Sequence, residues 1–190
     1  MKEYGLYLFD FDNTLYDTKA GIEAILRAAL PTLGIEYDPS DFNDYLGMSM
    51  DEVFDRNAVD PASYEEFRNK FFEVVRSDAY RGAVPFPDAE TTVRELKARG
   101  KRIGIVSGKM RYKIENLLAE CDLDPDPIAL GFSYFDVPKE DTLYVGDSAN
   151  DSLASDAFGI DCAIVDRGDG VADALDCTYT LESLEELLDW

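Results

Sequence analysis

The 190-residue chain contains no histidine. That absence removes serine–histidine hydrolase chemistry, histidine general bases and histidine metal ligands, and leaves acid–base work to carboxylates, lysine and tyrosine. Cysteine is scarce: Cys121, Cys162 and Cys177 are an odd number without C-x-x-C spacing. Neither a disulfide framework nor a zinc site is indicated, and small buried apolar residues are expected instead. No apolar run approaches the roughly 20 residues that span a bilayer, and Met1-Lys2-Glu3-Tyr4 opens no long apolar stretch of the signal-peptide kind; a cytoplasmic protein is expected. Basic residues are few, 18 against 40 acidic ones, for a formal charge of −22. Such a charge repels nucleic-acid backbones and anionic membranes over about a Debye length, ~8 Å at physiological salt, so neither is an expected partner. It also keeps a protein soluble, in a saline host among others.

What remains is ample for folding. With 46% apolar residues, a chain of this length buries one good core and a small satellite domain. Gly5 to Phe9 is a short apolar run that ends abruptly in Asp10-Phe11-Asp12-Asn13-Thr14, the pattern of a buried strand entering a polar turn. From Thr18 to about Tyr80 the pattern is helical and holds no strand: Ile22, Ile25, Leu26, Ala29 and Leu30 recur at helical spacing, as do Phe67, Phe71, Val74 and Val75. Ser49 with Glu52 three residues on, and Pro61, mark helix starts.

A Pro/Gly-rich link, Arg81 to Pro87, precedes a helix from Asp88 to Arg99 that stops at Gly100, then a strand from Arg102 to Val106. Further strands run from Thr142 to Val145, ending at Gly146-Asp147, and from Cys162 to Val165, ending at Asp166. Leu181 to Trp190 reads as a last amphipathic helix. Strands alternating with helices indicate an α/β fold with a parallel sheet, whose ligand site lies at the carboxyl ends of the strands.

Polar residues stand at those ends. Asp10 and Asp12 are alternate residues past the first strand and address one small volume. Ser107-Gly108-Lys109 follows the second strand, and Gly146 to Asp151, with Asp147 and Asp151, follows the third. Brought together, these turns hold four carboxylates, one hydroxyl and one ammonium, a set that repels phosphate unless a divalent cation intervenes. Magnesium takes hard oxygen ligands, among which Asp10 and Asp147 lead. A carboxylate with a free oxygen can attack phosphorus in line, and a second, kept protonated, can donate to the departing oxygen, a role that suits Asp12.

Phe9-Asp10-Phe11-Asp12-Asn13-Thr14-Leu15, Ile105-Val106-Ser107-Gly108 and Val145-Gly146-Asp147-Ser148 with Asp151 resemble the motifs of the haloacid dehalogenase superfamily, in its phosphoglycolate-phosphatase-like group with a helical cap. The resemblance implies a Rossmann-like core of residues 1–17 and 82–190 with an all-helical cap inserted at 18–81. It implies an Mg2+-dependent phosphatase acting on a small phosphorylated metabolite, phosphoglycolate-like or a sugar phosphate, as a monomer or homodimer. Asp10 would be the nucleophile that becomes an aspartyl-phosphate and Asp12 the acid–base residue. Ser107, with Gly108 and Lys109 in the same turn, would bind the phosphate. The metal set would be Asp10, Asp12 through its carbonyl, Asp147 and Asp151, the last as a nearby support. Dehalogenases of the superfamily do not use an acid two residues after the nucleophile, so Asp12 argues for phosphate.

One departure matters. The family supplies a lysine, often in Lys-Pro-x-Pro; the most similar stretch here is Asp124-Pro125-Asp126-Pro127, with Asp124 at the lysine position. Lys109 is the candidate substitute, against its reading as a surface lysine ahead of the next helix. Lys113 belongs to that helix, and Lys139 precedes a strand at the opposite end of the sheet. The stretch from Ser107 to Asp124 is also too short for the further strand usual in the family. In the helical segment, Gly47 to Met50 and Phe71-Phe72 are placed to face a substrate, but aromatics at helical spacing are mostly core, so no specificity residue is named; Arg111 and Tyr112 have similar standing. A sugar phosphomutase uses the same residues if water is excluded, and a silent phosphate-binding or regulatory module is the alternative outside catalysis.

Overall fold

The computed structural model describes residues 2–120, 128–129, 137–168, 170 and 172–190. The chain divides into two compact units, one made of the residues up to Asp17 and from Val84 onward, the other of Thr18–Ala83.

The first unit is built on the strand β1 (Leu6–Phe9), whose four side chains are all buried. A strand covered on both faces has no polar side, which is why it reads as an unbroken apolar run. The chain adds a two-residue strand β2 (Tyr16–Asp17), then β3 (Val84–Pro85), β4 (Arg102–Val106), β5 (Ile128–Ala129), β6 (Thr142–Gly146), β7 (Asp161–Val165) and β8 (Tyr179–Leu181). Six of them form one sheet in the order β5-β4-β1-β6-β7-β8, every pair parallel. The other two, β2 and β3, make a small antiparallel ribbon where the chain leaves the unit and returns.

Register fixes where the site falls. Phe9 pairs with Ile105 on one side and Val145 on the other, so Asp10, Val106 and Gly146 emerge level at the carboxyl edge. The chain first builds the sheet to one side of β1, through β4 and β5, and then to the other, through β6. Carboxyl ends flanking such a reversal leave a crevice that suits ligands.

The helix that crosses to β4 spans Pro87–Ala98, with proline in its first turn. It ends as the sequence predicts: Gly100 takes φ 78°, and the amides of Gly100 and Lys101 donate to Lys97 and Leu96 in a Schellman closure. Helices Arg111–Leu118 and Ala149–Phe158 follow β4 and β6.

From Ser107 to Glu120 the described residues hold no strand; the two-residue β5, paired to Ile105 and Val106, lies beyond Asp124, while Asp124 to Pro127, and Cys121, lie outside the described residues. One expectation needs correction. The C-terminal run is not one helix. Leu181 closes β8 by pairing with Val165, and a 3-10 turn, Leu184–Asp189, starts from a Ser183–Glu186 capping box. Three-residue repetition places the buried Leu184 and Leu187 on one side.

The second unit holds the helices α1 (Lys19–Ala29), α2 (Phe42–Tyr45), α3 (Met50–Asn57) and α4 (Tyr64–Val75), making α5, α6 and α7 the three helices of the sheet unit among the described residues. Ser49 and Glu52 form the expected reciprocal cap at the start of α3, and Pro61–Ser63 is a 3-10 turn leading into α4. Leu26, Ala29, Leu30, Tyr37, Tyr45, Val53, Phe54 and Phe67 make its own core, against which Met48, Met50 and Phe71 pack. Phe72 has the guanidinium groups of Arg68 and Arg76 over its ring, at 5.5 and 5.2 Å from its centre. Among the described residues no helix is long and apolar enough to cross a membrane.

Candidate active site

The Asp-Phe-Asp run after β1 owes its geometry to Phe11. That ring is fully buried and stacks on Tyr16 at 4.5 Å, and alternation along extended backbone puts Asp10 and Asp12 on the opposite side. The loop then turns tightly. The amides of Leu15 and Tyr16 donate to the Phe11 carbonyl, and the amide of Asn13 donates to Tyr16 at 2.7 Å. Asn13 sits at φ 59°, a left-handed conformation that asparagine tolerates better than most residues.

That turn aims two donors at a third carboxylate. Asn13 Nδ2 donates to Asp147 Oδ2 at 2.9 Å, and Thr14 Oγ1 to Asp147 Oδ1 at 3.0 Å. Asp147 follows β6 and is buried. Asp151 lies in the first turn of α7, where Oδ2 accepts from the Ser148 amide at 3.0 Å, the Ser148 hydroxyl at 2.7 Å and the Asp147 amide at 3.2 Å. Its Oδ1 accepts from the Tyr144 hydroxyl at 2.9 Å. The carboxylate fits here because Gly146 has no side chain: a Cβ there would collide with Cβ and Cγ of Asp151.

One carboxylate oxygen from each of Asp10, Asp147 and Asp151 lies within 4.8 Å of the others. Asp10 keeps some surface open to solvent but sits deep among protein atoms. That burial, with the charges of Asp151, Asp147 and Asp12, holds its carboxyl well above the usual carboxylate range. Burial, and then the charges of Asp10 and Asp151, likewise push the Tyr144 hydroxyl upward. An all-oxygen donor set carrying unneutralised negative charge fits a hard divalent cation.

Across β1, Ser107 follows β4 and is nearly buried, its hydroxyl accepting from the Lys109 amide at 3.3 Å. Lys109 turns inward: Nζ lies 2.5 Å from Asp12 Oδ1 and 5.8 Å from the centre of the Phe11 ring. Among the other lysines considered, Lys113 is buried on α6, and Lys139, in the turn before β6, gives its ammonium to the Phe158 carbonyl. Arg111 pairs with Glu115 on its own helix, and Tyr112 is exposed. Thus Asp10, Asp147 and Asp151 form one cluster, Asp12 and Lys109 one pair, and Ser107 with Gly108 the adjoining turn. Sequence reasoning did not assign Asn13, Thr14, Ser148 or Tyr144. The Ser148-x-x-Asp151 spacing was a readable capping signal; the others depend on strand order.

The sequence matches the family described as haloacid dehalogenase-like hydrolase over residues 7–125. It is 27% identical to a phosphoglycolate phosphatase of Photorhabdus laumondii, with 90% of this chain and 86% of that protein covered. It is 26% identical to the pyrophosphatase PpaX of Bacillus cereus, covering 95% and 93%. Among solved structures, a haloacid dehalogenase-like hydrolase from Bacteroides fragilis superposes with a TM-score of 0.85 at 27% identity, covering 97% of this chain and all of that one.

Proposed function

The chain belongs to the haloacid dehalogenase-like hydrolase family, and from that membership we propose that it is a phosphatase of small phosphorylated metabolites working through an aspartyl-phosphate on Asp10. The observation that carries this reading is the convergence of the Asp10, Asp147 and Asp151 carboxylates within 4.8 Å, at strand ends beside the Ser107–Lys109 turn. The relatives named for phosphoglycolate and pyrophosphate make those two compounds, with sugar phosphates, the first substrates to try.

Asp10, Asp147 and the main-chain carbonyl of Asp12 would hold Mg2+, with Asp151 keeping the Asp147 turn in place through its bonds to the Asp147 and Ser148 amides. Such a cation, when bound, neutralises the carboxylates and draws electron density from the phosphoryl group. The chain's own residues do the rest. An oxygen of Asp10 attacks phosphorus, forming the Asp10–phosphorus bond as the bond to the leaving oxygen breaks; Asp12 gives that oxygen its proton. Asp12 then takes a proton from water as the water oxygen attacks the aspartyl-phosphate, releasing inorganic phosphate and restoring Asp10. Ser107 and the Gly108 turn receive the phosphate oxygens. Lys109, paired with Asp12 in the structure, is the ammonium that a phosphate dianion would draw away, leaving Asp12 free to carry its proton. The helical unit Thr18–Ala83 has the proposed role of the family's substrate-selecting cap.

The test is hydrolysis of an aryl phosphate, phosphoglycolate and pyrophosphate with Mg2+ and with chelator, comparing the natural chain with Asp10→Asn. Metal-dependent turnover that falls by at least about 10³-fold in Asp10→Asn is expected. Turnover equal in the two proteins would remove Asp10 as nucleophile, and absence of turnover on the whole panel would favour a phosphate-binding module.

A further inference from the structure

Arg167 stands two residues beyond β7, a position with no motif around it. Its Nη1 donates to both carboxylate oxygens of Asp88, at 2.9 and 3.1 Å, and its Nη2 to the main-chain carbonyl of Thr14 at 2.5 Å. The guanidinium also lies 3.8 Å over the centre of the Phe86 ring. Arg167 and Asp88 are only 12% and 14% exposed. Asp88, in the first turn of α5, is held in turn by the Leu184 amide at 2.9 Å and the Ser183 hydroxyl at 3.1 Å. Burial alone would raise the Asp88 carboxyl, but the Arg167 guanidinium and the Leu184 amide outweigh it and hold the group below its usual value. Asp88 is therefore a fixed anion, and it fixes Arg167.

The other end of the fork reaches the residue whose hydroxyl donates to Asp147 Oδ1 at 3.0 Å. A single-bonded hydroxyl aims at a carboxylate only as well as its own main chain is held. The Thr14 carbonyl is bound by a planar group that is itself clamped by an ion pair and a ring. We propose that Arg167 is a positioning residue for the cation site, acting through the Thr14 main chain to orient Asp147. The inference rests on the reading of Asp147 as a cation ligand. Lysine can keep the pair with Asp88 but cannot fork to Thr14, since its ammonium is a point donor and not a planar one. The competing reading makes Arg167 only a tie between α5, β7 and the C-terminal turn; that role would change stability and leave cation affinity alone.

Partners that orient a ligating carboxylate are worth about 10–100-fold in metal affinity. The experiment is calorimetric titration of the folded protein with Mg2+ alone, without substrate, for the natural chain, Arg167→Lys, Arg167→Met, Thr14→Val and the Arg167→Lys/Thr14→Val pair, with Asp147→Asn as control and thermal denaturation of each. Expected are a loss of about tenfold or more in Mg2+ affinity for Arg167→Lys and for Thr14→Val, and a double variant no weaker than about the worse single one, because both act on one hydrogen bond. Natural-like affinity in Arg167→Lys, or fully multiplying losses in the double variant, would overturn the proposal. If Arg167→Met does not fold, Arg167→Lys and Thr14→Val decide the question. If the natural chain binds no Mg2+, or Asp147→Asn binds it equally, the cation reading itself fails, an outcome distinct from an intact site that ignores Arg167.

Discussion

Lys109 is the residue on which the sequence left two readings open, surface lysine or site lysine. Its ammonium sits 2.5 Å from Asp12, and its side chain is only 15% exposed. That inward placement, paired with a carboxylate of the proposed site, favours the site reading over a surface lysine, whose side-chain entropy and hydration are best served in solvent. Removing a charged group that faces a transferring phosphoryl costs on the order of 10²–10³ in rate. Lys109→Ala should therefore lower kcat/KM for an aryl phosphate by about that factor, with Lys109→Arg between it and the natural chain. The check is steady-state kinetics beside thermal denaturation. A rate within about twofold of natural would return the residue to the surface reading. Asp10, Asp12, Ser107, Lys109, Asp147 and Asp151 could be picked out from sequence because each follows the end of a buried apolar strand. Thr14 and Asn13 sat in the same quoted run, but that their side chains point at Asp147 follows from β1 lying beside β6. Arg167 is separated from Thr14 by most of the chain, and nothing local foretells their meeting.

At the scale of elements, the turn from β6 into α7 depends on one missing side chain. Asp151 occupies the space a Cβ on Gly146 would need, and from there it caps α7 and fixes the amides of Asp147 and Ser148. Gly146→Ala should cost about 1–3 kcal/mol through overpacking. At roughly 2–4 °C per kcal/mol for a chain of this size, the melting temperature should drop by several degrees. Displacement of Asp147 should lower turnover about 100-fold as well. Calorimetry and kinetics on the same preparation check both, and an unchanged melting temperature would mean that the α7 turn yields easily. The elements legible from sequence carry strong local signals: the apolar runs of β1, β4, β6 and β7, the Ser49–Glu52 cap of α3, and the Gly100 stop of α5. The elements missed are those whose existence is tertiary. The strands β2, β3 and β5 are two residues each, and β8 exists because Leu181 finds Val165. The C-terminal turn winds as 3-10 because Leu184 and Leu187 must share a side.

For the whole molecule, charge is the dominant quantity. If every lysine and arginine found an acidic partner, 22 acidic groups would still lack one. Self-repulsion on that scale opposes the compact state, and salt shortens its reach from a Debye length of about 10 Å at 0.1 M to about 3 Å at 1 M. The melting temperature at neutral pH should rise by roughly 5 °C between dilute buffer and about 1 M KCl. A scan of melting temperature against salt checks this, and a decrease would mean that ion pairs such as Arg167–Asp88, not net charge, govern stability.

The sheet's central strand is also its first. Leu6 to Phe9 find their neighbours only in Arg102 to Ile105 and Thr142 to Val145, and the helical unit, whose core is closed within Thr18–Ala83, intervenes. On a ribosome adding about 5–20 residues per second, that helical unit can complete itself while the strand bearing Asp10 waits on the order of ten seconds for its second partner. The segment on which the proposed chemistry depends is thus made well before either strand that secures it. During that interval its bare apolar backbone is what a chaperone, or another nascent chain, would meet.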